Sequence, residues 1–143
     1  MTMKDFFRNK YGSEYVQGGE EMGIVRETYN AELAEYLKEE PHNPDLSGVD
    51  FHDHVEIRMK EFDSFTAHNC GFLGGFMMGD CQIKGDLSFR GTYVHQSFSL
   101  TETKVGGDFT YPENLPDLIA EDDLTSLQIT GLEVKGTTWF TPM

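Results

Sequence analysis

The sequence predicts a mainly β fold with N-terminal helices (α+β), in which a short β-solenoid is closed at one end by a helical cap. Three observations predict it: a strand motif that occurs three times, an apolar pair at a fixed distance before each copy, and an amphipathic pattern ahead of the repeats. The 143 residues suit one domain. We assign residues 1–48 to the cap and residues 49–143 to a solenoid of about three rungs, each of about 22–29 residues.

The N-terminal third has two predicted helices. Residues 20–40, "EEMGIVRETYNAELAEYLKEE", carry apolar residues at intervals of three and four, and Pro41 ends the pattern. Alternatively, Asn30 is the N-cap of a shorter helix. A second short helix is predicted near "TMKDFFRNKYG", with Gly12 as its stop. Because the end of a solenoid exposes unpaired strands, we expect these helices to cover it; the alternative is that they recruit a partner or mediate dimerisation.

Residues 49–72 are rich in apolar side chains and are interpreted as an irregular first rung. Phe62 and Phe65 precede Leu73 and Phe76 by eleven residues, which suggests equivalent positions. A second interpretation is a pentapeptide repeat, since Leu46 and Phe51 in "DLSGVDF" are five apart. That pattern does not continue cleanly along the chain, so it ranks second.

The strand motif occurs as "IKGDLSF" at residues 83–89, "VGGDFTY" at residues 105–111 and "VKGTTWF" at residues 134–140. Alternate positions are apolar or glycine and the intervening positions are mostly polar or small, which is the period of a strand with one buried face. Glycine pairs and Gly-Asp are poor helix formers. The third position of every copy is a glycine: Gly85, Gly107 and Gly136.

An apolar pair lies ten and seven residues before each motif. The pairs are Leu73 and Phe76, His95 and Phe98, and Leu124 and Leu127, with His95 as the exception to apolar character. The first two motifs are 22 residues apart and the last two are 29 apart, so the last interval contains about seven additional residues. A period in this range is typical of a solenoid whose units bury a common face by stacking.

Two stretches, "LTSLQITGLEVKGTTWF" and "TETKVGGDFTY", resemble a degenerate repeat of uncharacterised proteins from large tailed bacteriophages. Those units read approximately LTSL, six residues, then VGGDFYC, and are similar in spirit to leucine-rich repeats. The resemblance covers about residues 73–140. It departs from the pattern at His95, and at Phe89, Tyr111 and Phe140, where cysteine is common. It implies phage origin and a β-solenoid, and it attaches no catalytic residues to the repeat.

The formal net charge is −14, and the acidic residues occur in both halves of the chain. Such a surface repels nucleic acid and anionic membranes, which bind through Lys and Arg, and it favours a basic protein surface. No apolar run approaches the length of a membrane span, and "MTMKDFFRNK" has no apolar signal core. Cys70 and Cys81 form no disulfide framework and suit a reducing compartment. We therefore expect a cytoplasmic protein, in the infected host bacterium if the resemblance holds.

The segment "HDHVE" is the one candidate metal site. His52, His54 and Glu56 share a face if the segment is a strand, and two imidazoles with a carboxylate suit zinc or iron. His68, Cys70 and Cys81 would join this site only if the fold brings them near. Because no second cluster fixes the site, the sequence predicts exposed polar residues there, with no metal and no cofactor.

Signatures of common enzyme classes are missing from the sequence. There is no GxSxG elbow, no phosphate-binding loop and no GxGxxG before a helix. We therefore expect a protein without catalytic residues.

The additional residues of the last interval fall in "PENLPDLIAEDD", residues 112–123, which combine five acids with aliphatic side chains and no base. Insertions in solenoids form loops on one face, which is often the binding face. The polar face of the helix within residues 20–40 is also acidic. The predicted partner-binding residues are Glu113, Asp117, Glu121, Asp122 and Asp123 of the insert, and Glu27, Glu32, Glu35 and Glu39 of the helix.

Together these features predict a non-enzymatic acidic phage protein that binds, and thereby inhibits, a host protein with a basic surface, such as a nucleic-acid-handling or defence factor. It would not bind nucleic acid directly. The alternative is a small virion or assembly component that self-associates through the solenoid end or the helix. The sequence leaves homo-oligomerisation open.

Overall fold

The computed structural model describes residues 2–11, 28–51, 53–114 and 127–139. This part of the chain is mainly β with two short helices, α1 (Met3–Tyr11) and α2 (Thr28–Glu39), as the sequence predicts. Its fifteen strands are β1 (Asp50–Phe51), β2 (Val55–Arg58), β3 (Glu61–Phe62), β4 (Phe65–Thr66), β5 (Gly71–Phe72), β6 (Phe76–Gly79), β7 (Gln82–Ile83), β8 (Leu87–Ser88), β9 (Tyr93–Val94), β10 (Phe98–Thr101), β11 (Lys104–Val105), β12 (Phe109–Thr110), β13 (Leu127–Thr130), β14 (Glu133–Val134) and β15 (Thr138–Trp139).

Within the described ranges, the strands form four parallel sheets, which the chain visits in turn. Their orders are β1-β5-β9, β2-β6-β10-β13, β3-β7-β11-β14 and β4-β8-β12-β15. Val55 pairs with Phe76, Phe76 with Phe98, and Phe98 with Leu127. The chain therefore returns to the same sheet after 21, 22 and 29 residues. The 22- and 29-residue separations confirm the intervals predicted from the motifs.

Residues 49–72 pair in register with the next pass of the chain, although the predicted alignment is wrong. Phe62 pairs with Ile83 and Phe65 with Leu87, so each precedes its partner by 21 or 22 residues. The partner of Phe76 is Val55. An offset of eleven residues would instead compare neighbouring sides of the same pass. The pentapeptide interpretation also fails, because the buried positions of β2 alternate every second residue.

The upstream pairs are correct at one of their two positions. Phe76 and Phe98 are buried, and they align with Leu127 on one sheet. Leu73 and His95, by contrast, are exposed, because the buried side chains of β5 and β9 are Phe72 and Val94. Leu124 lies outside the described residues.

Phenylalanine fills the interior. All ten phenylalanines whose burial is described are buried, and they belong to one continuous apolar cluster. Rings contact each other from pass to pass, as in the stacked pair Phe51–Phe72, with ring centroids 5.2 Å apart. Phe76 and Phe98 stack in the same way at 6.0 Å. Since burial of one such side chain stabilises by about 1.5–3 kcal/mol, these rings supply a large part of the stabilising burial.

Both helices pack onto the segment that precedes β1. The α1 residues Met3, Phe6 and Phe7 and the α2 residues Leu33 and Tyr36 lie in the same apolar cluster as the strands. The Tyr36 hydroxyl accepts a hydrogen bond from the Asp45 N–H at 2.9 Å and lies 3.3 Å from the Asp45 carbonyl oxygen. The Met3 N–H donates to the same carbonyl at 2.8 Å.

The helix boundaries agree in part with the predicted ones. α2 ends at Glu39, before Pro41, as predicted. Asn30 lies inside α2, so it is not an N-cap. The first part of the predicted helix within residues 20–40, and the predicted stop at Gly12, lie outside the described residues.

Left-handed corners terminate the strands of the second sheet. Met59, Asp80, Glu102 and Gly131 follow β2, β6, β10 and β13, with φ values of 53°, 53°, 49° and 71°. Three of the four are not glycine, although a side chain in this conformation costs about 1–2 kcal/mol. The register of the stack therefore maintains a strained corner on successive passes.

The glycine shared by the three motifs marks a close approach between passes. The Gly107 N–H donates to the Gly85 carbonyl at 2.8 Å, and the Gly136 N–H donates to Gly107 at 2.9 Å. A Cβ at Gly107 would lie 2.8 Å from the Gly85 carbonyl carbon, which is too close for a side chain. The following aspartates extend this contact, because an Asp86 carboxylate oxygen accepts from the Asp108 N–H at 2.8 Å.

We predict that Gly107→Ala lowers the free energy of unfolding by about 1–3 kcal/mol, because the new methyl group must displace backbone. Gly79→Ala is the matched control. Its Cβ would meet only the Thr101 hydroxyl at 3.3 Å, and Gly79 has no left-handed conformation. Urea unfolding followed by circular dichroism measures both variants. Equal stability of the two variants would contradict the close approach.

Candidate functional site

Acidic side chains are distributed over the outside of the stack. The described ranges contain seventeen Asp and Glu residues, and Glu32 is the single buried one. Of the predicted partner-binding residues, Glu35, Glu39 and Glu113 are exposed. The others, Asp117, Glu121, Asp122 and Asp123 of the insert and Glu27 of the helix, lie outside the described residues.

Glu32 is a correction to the predicted acidic helix face. Its residue is 4% exposed, and it lies one turn before Tyr36 and beside Leu33, both of which are buried. Positions four apart share a helix face, so Glu32 belongs to the face that packs on the strands. The buried face of α2 is wider than the pattern of apolar residues indicates. Glu32 is therefore not accessible to a partner.

The start of the insert is held at the edge of β9. The Asn114 side chain accepts from the Val94 N–H at 2.9 Å and donates to the Val94 carbonyl at 2.6 Å, in place of a neighbouring strand. The Glu113 N–H donates to the Thr92 carbonyl at 2.8 Å. An amide side chain has one donor and one acceptor group and can therefore satisfy a strand edge. The sequence analysis missed Asn114, whose only signal is an Asn directly after the motif ends.

Lysines concentrate on one sheet of this acidic chain. Lys84, Lys104 and Lys135 surround Gly106 on the β3-β7-β11-β14 sheet, and they line a surface groove of about 430 Å³. Glu133 lines the same groove, and the Lys84 ammonium lies 3.9 Å from an Asp63 carboxylate oxygen. Such exposed pairs contribute little to stability. The outer surface is thus not uniformly anionic.

A second groove of about 410 Å³ lies between α2 and β2. We call it the α2–β2 groove, and it is lined by Leu33, Leu37, Lys38, Ile57, Arg58 and Lys60. It combines apolar side chains with basic ones at the outer edge of a sheet. No motif in the sequence indicated this groove, because its two walls are distant in the chain.

The structure does not assemble the "HDHVE" segment into one site. Glu56 lies on β2 and pairs with Arg58, at 2.6 Å between carboxylate and guanidinium. His54 precedes the strand, and its Nδ1 lies 3.2 Å from the Gly74 carbonyl oxygen. His52 lies outside the described residues. Among the residues that are described, no three His, Cys, Asp or Glu side chains are placed to hold a metal ion.

His68 and the two cysteines lie in separate surroundings. The Cys70 thiol donates to the Leu46 carbonyl at 3.0 Å, whereas the Cys81 thiol donates to Gly79 at 3.3 Å. Burial raises the pKa of Cys70 to about 12 and also raises the pKa of Cys81. Burial lowers the pKa of His68, whose Nε2 lies 2.7 Å from the Ser88 hydroxyl. The thiols are therefore protonated at neutral pH and are poor nucleophiles.

Neither α1 nor α2 is long and apolar enough to cross a membrane, and the described residues contain no other helix. Comparisons of the chain with protein-family models, with curated proteins and with solved structures found no match.

We predict that Cys70 and Cys81 react with Ellman's reagent at least about 100-fold more slowly in the native protein than in guanidinium chloride, because burial keeps both thiols protonated and inaccessible. Absorbance at neutral pH measures the rate. Thr137→Cys, at an exposed position, is the positive control. Rapid reaction of two thiols in the folded wild-type protein would contradict the described burial.

Proposed function

We propose that the β region is a short solenoid and that residues 1–48 form its cap. The parallel registers support this proposal, because each sheet gains a strand every 21, 22 or 29 residues. The single apolar cluster that includes both helices supports the cap. A helical cover at one end removes exposed strand edges, which otherwise pair with other chains.

On this framework, the chain acts as a non-enzymatic protein that binds a basic protein surface. The observation that carries the proposal is the outward position of sixteen of the seventeen described acidic side chains on hydrogen-bonded, stacked strands. Carboxylates on a rigid framework bind with less loss of conformational entropy than those of a flexible chain. Their field also accelerates association with a positively charged partner.

Contacts are proposed at the insert and at the exposed side of α2. Glu113 is exposed where the insert leaves the edge of β9, and Glu35 and Glu39 are exposed on α2. Asp117, Glu121, Asp122 and Asp123 follow Glu113 in the sequence, and their role in binding rests on that sequence. Glu32 is omitted because it is buried.

The biological setting of this proposal rests on the phage-repeat resemblance. A phage protein of this kind would act in the cytoplasm of the infected bacterium and inhibit a host nucleic-acid-handling or defence factor by occupying the surface that nucleic acid would bind. The second candidate is a virion or assembly component. It is favoured by β13, β14 and β15, which pair on one side only within the described part of the chain.

We predict that capture of a basic protein from host lysate weakens as NaCl rises from about 50 to 500 mM, because salt screens exposed charges. Duplex DNA should compete with capture. Replacement of Glu121, Asp122 and Asp123 by Ser should weaken binding by about 1–3 kcal/mol with an unchanged melting curve.

Replacement of Glu61 and Glu133 by Gln on the lysine-bearing sheet serves as the control, since it removes charge elsewhere and should retain capture. Capture that is insensitive to salt, to DNA and to the insert variant would contradict the proposal. In that case, self-association measured by sedimentation tests the second candidate.

A further inference from the structure

The outer edge of β2 has unused backbone groups. β2 is the terminal strand of its sheet within the described residues. Val55 and Met59 donate to Gly75 and Gly79 of the neighbouring pass, at 3.1 and 2.9 Å. Alternate residues of a strand direct their N–H and C=O groups to opposite sides, so those of Glu56 and Arg58 point away from the sheet. An edge of this kind is a template for one more strand.

The α2–β2 groove lies along this edge, so an added strand would have an apolar wall beside it. Leu33 and Ile57 are almost fully buried, and Leu37 is half-buried against the same core. An extended peptide presents alternate side chains to its two faces, and one set would contact these aliphatic groups. Backbone hydrogen bonds would provide affinity, and the groove would select the side chains.

Charge indicates which peptide suits the groove. Lys38 and Lys60 line it, and neither forms a salt bridge within the described part of the chain. Arg58 is already neutralised by Glu56. The groove is therefore a local excess of positive charge on a chain of net charge −14. An acidic peptide gains attraction there, whereas a basic one would meet two unpaired ammonium groups.

We propose that the α2–β2 groove binds an extended acidic segment of a partner protein, which adds to the edge of β2 as a further strand. Its backbone pairs with Glu56 and Arg58, its apolar side chains contact Leu33 and Leu37, and its carboxylates lie near Lys38 and Lys60. This site is separate from the acidic surfaces of the proposed function and takes a ligand of opposite charge.

The probe is an acetylated and amidated peptide of about seven residues in which Glu and Val alternate. Titration into the full chain, followed by fluorescence anisotropy, should show saturable binding. The same peptide with Lys in place of Glu should not bind. Lys38→Glu with Lys60→Glu should weaken binding at least about tenfold. Lys84→Glu is the matched control on another sheet, and it should change the affinity less than about twofold.

Amide hydrogen exchange tests strand addition directly. In the free protein the Glu56 and Arg58 amides should exchange quickly, and the peptide should slow both at least about tenfold. Glu56→Pro removes one outward N–H, which an edge strand tolerates. It also frees Arg58, so binding by charge alone would strengthen whereas strand addition weakens. A peptide N-methylated at alternate residues repeats this test without altering the protein.

Four results would overturn the proposal. They are absence of saturable binding, equal loss of affinity in Lys84→Glu, protection of the Glu56 and Arg58 amides before peptide is added, and a concentration-dependent dimer that protects the same amides. The third would show that the chain covers its own edge, and the fourth would assign the groove to a second copy.

Discussion

The parallel hydrogen bonding of each pass of the chain to the previous one is the constraint on which the rest of the structure depends. Equivalent backbone groups must meet over four sheets, so every pass must return to the same register. The Gly85–Gly107–Gly136 column permits the closest approach, and the Asp86 carboxylate bonds the Asp108 N–H of the next pass. The left-handed corners repeat for the same reason, even where Met59 or Glu102 must adopt them.

This register also separates the interior from the binding surface. Inward positions take phenylalanine and aliphatic side chains, and Cys70 and Cys81 are buried with them. Outward positions are free to vary without altering the hydrogen bonds. Acids therefore occupy most of the outer surface, lysines collect on one sheet, and the β2 edge keeps two lysines without acidic partners. Both proposed binding modes use outward groups and would leave the interior unchanged.

The repeats were predictable because a strand buried on one face leaves a period of two, and because stacking requires a constant interval. Phe76 and Phe98 were identified in this way. The equivalence of Phe62 with Ile83 was not, because the first pass is one residue shorter at its corner. Burial of Glu32 and the strand-like bonds of Asn114 depend on tertiary contacts that leave no periodic signal. The α2–β2 groove joins residues about twenty apart that share no motif.

Disulfide formation between engineered cysteines tests the stacked register most directly. Lys104 pairs with Gln82 on one side and with Glu133 on the other, across the 29-residue interval. Neighbouring strands lie about 4.8 Å apart, which permits a disulfide, whereas strands two passes apart do not meet. Lys104→Cys with Gln82→Cys, and Lys104→Cys with Glu133→Cys, should therefore each oxidise to a native-like protein by mass spectrometry, while Gln82→Cys with Glu133→Cys should remain reduced. Cross-linking of only the last pair would contradict the register.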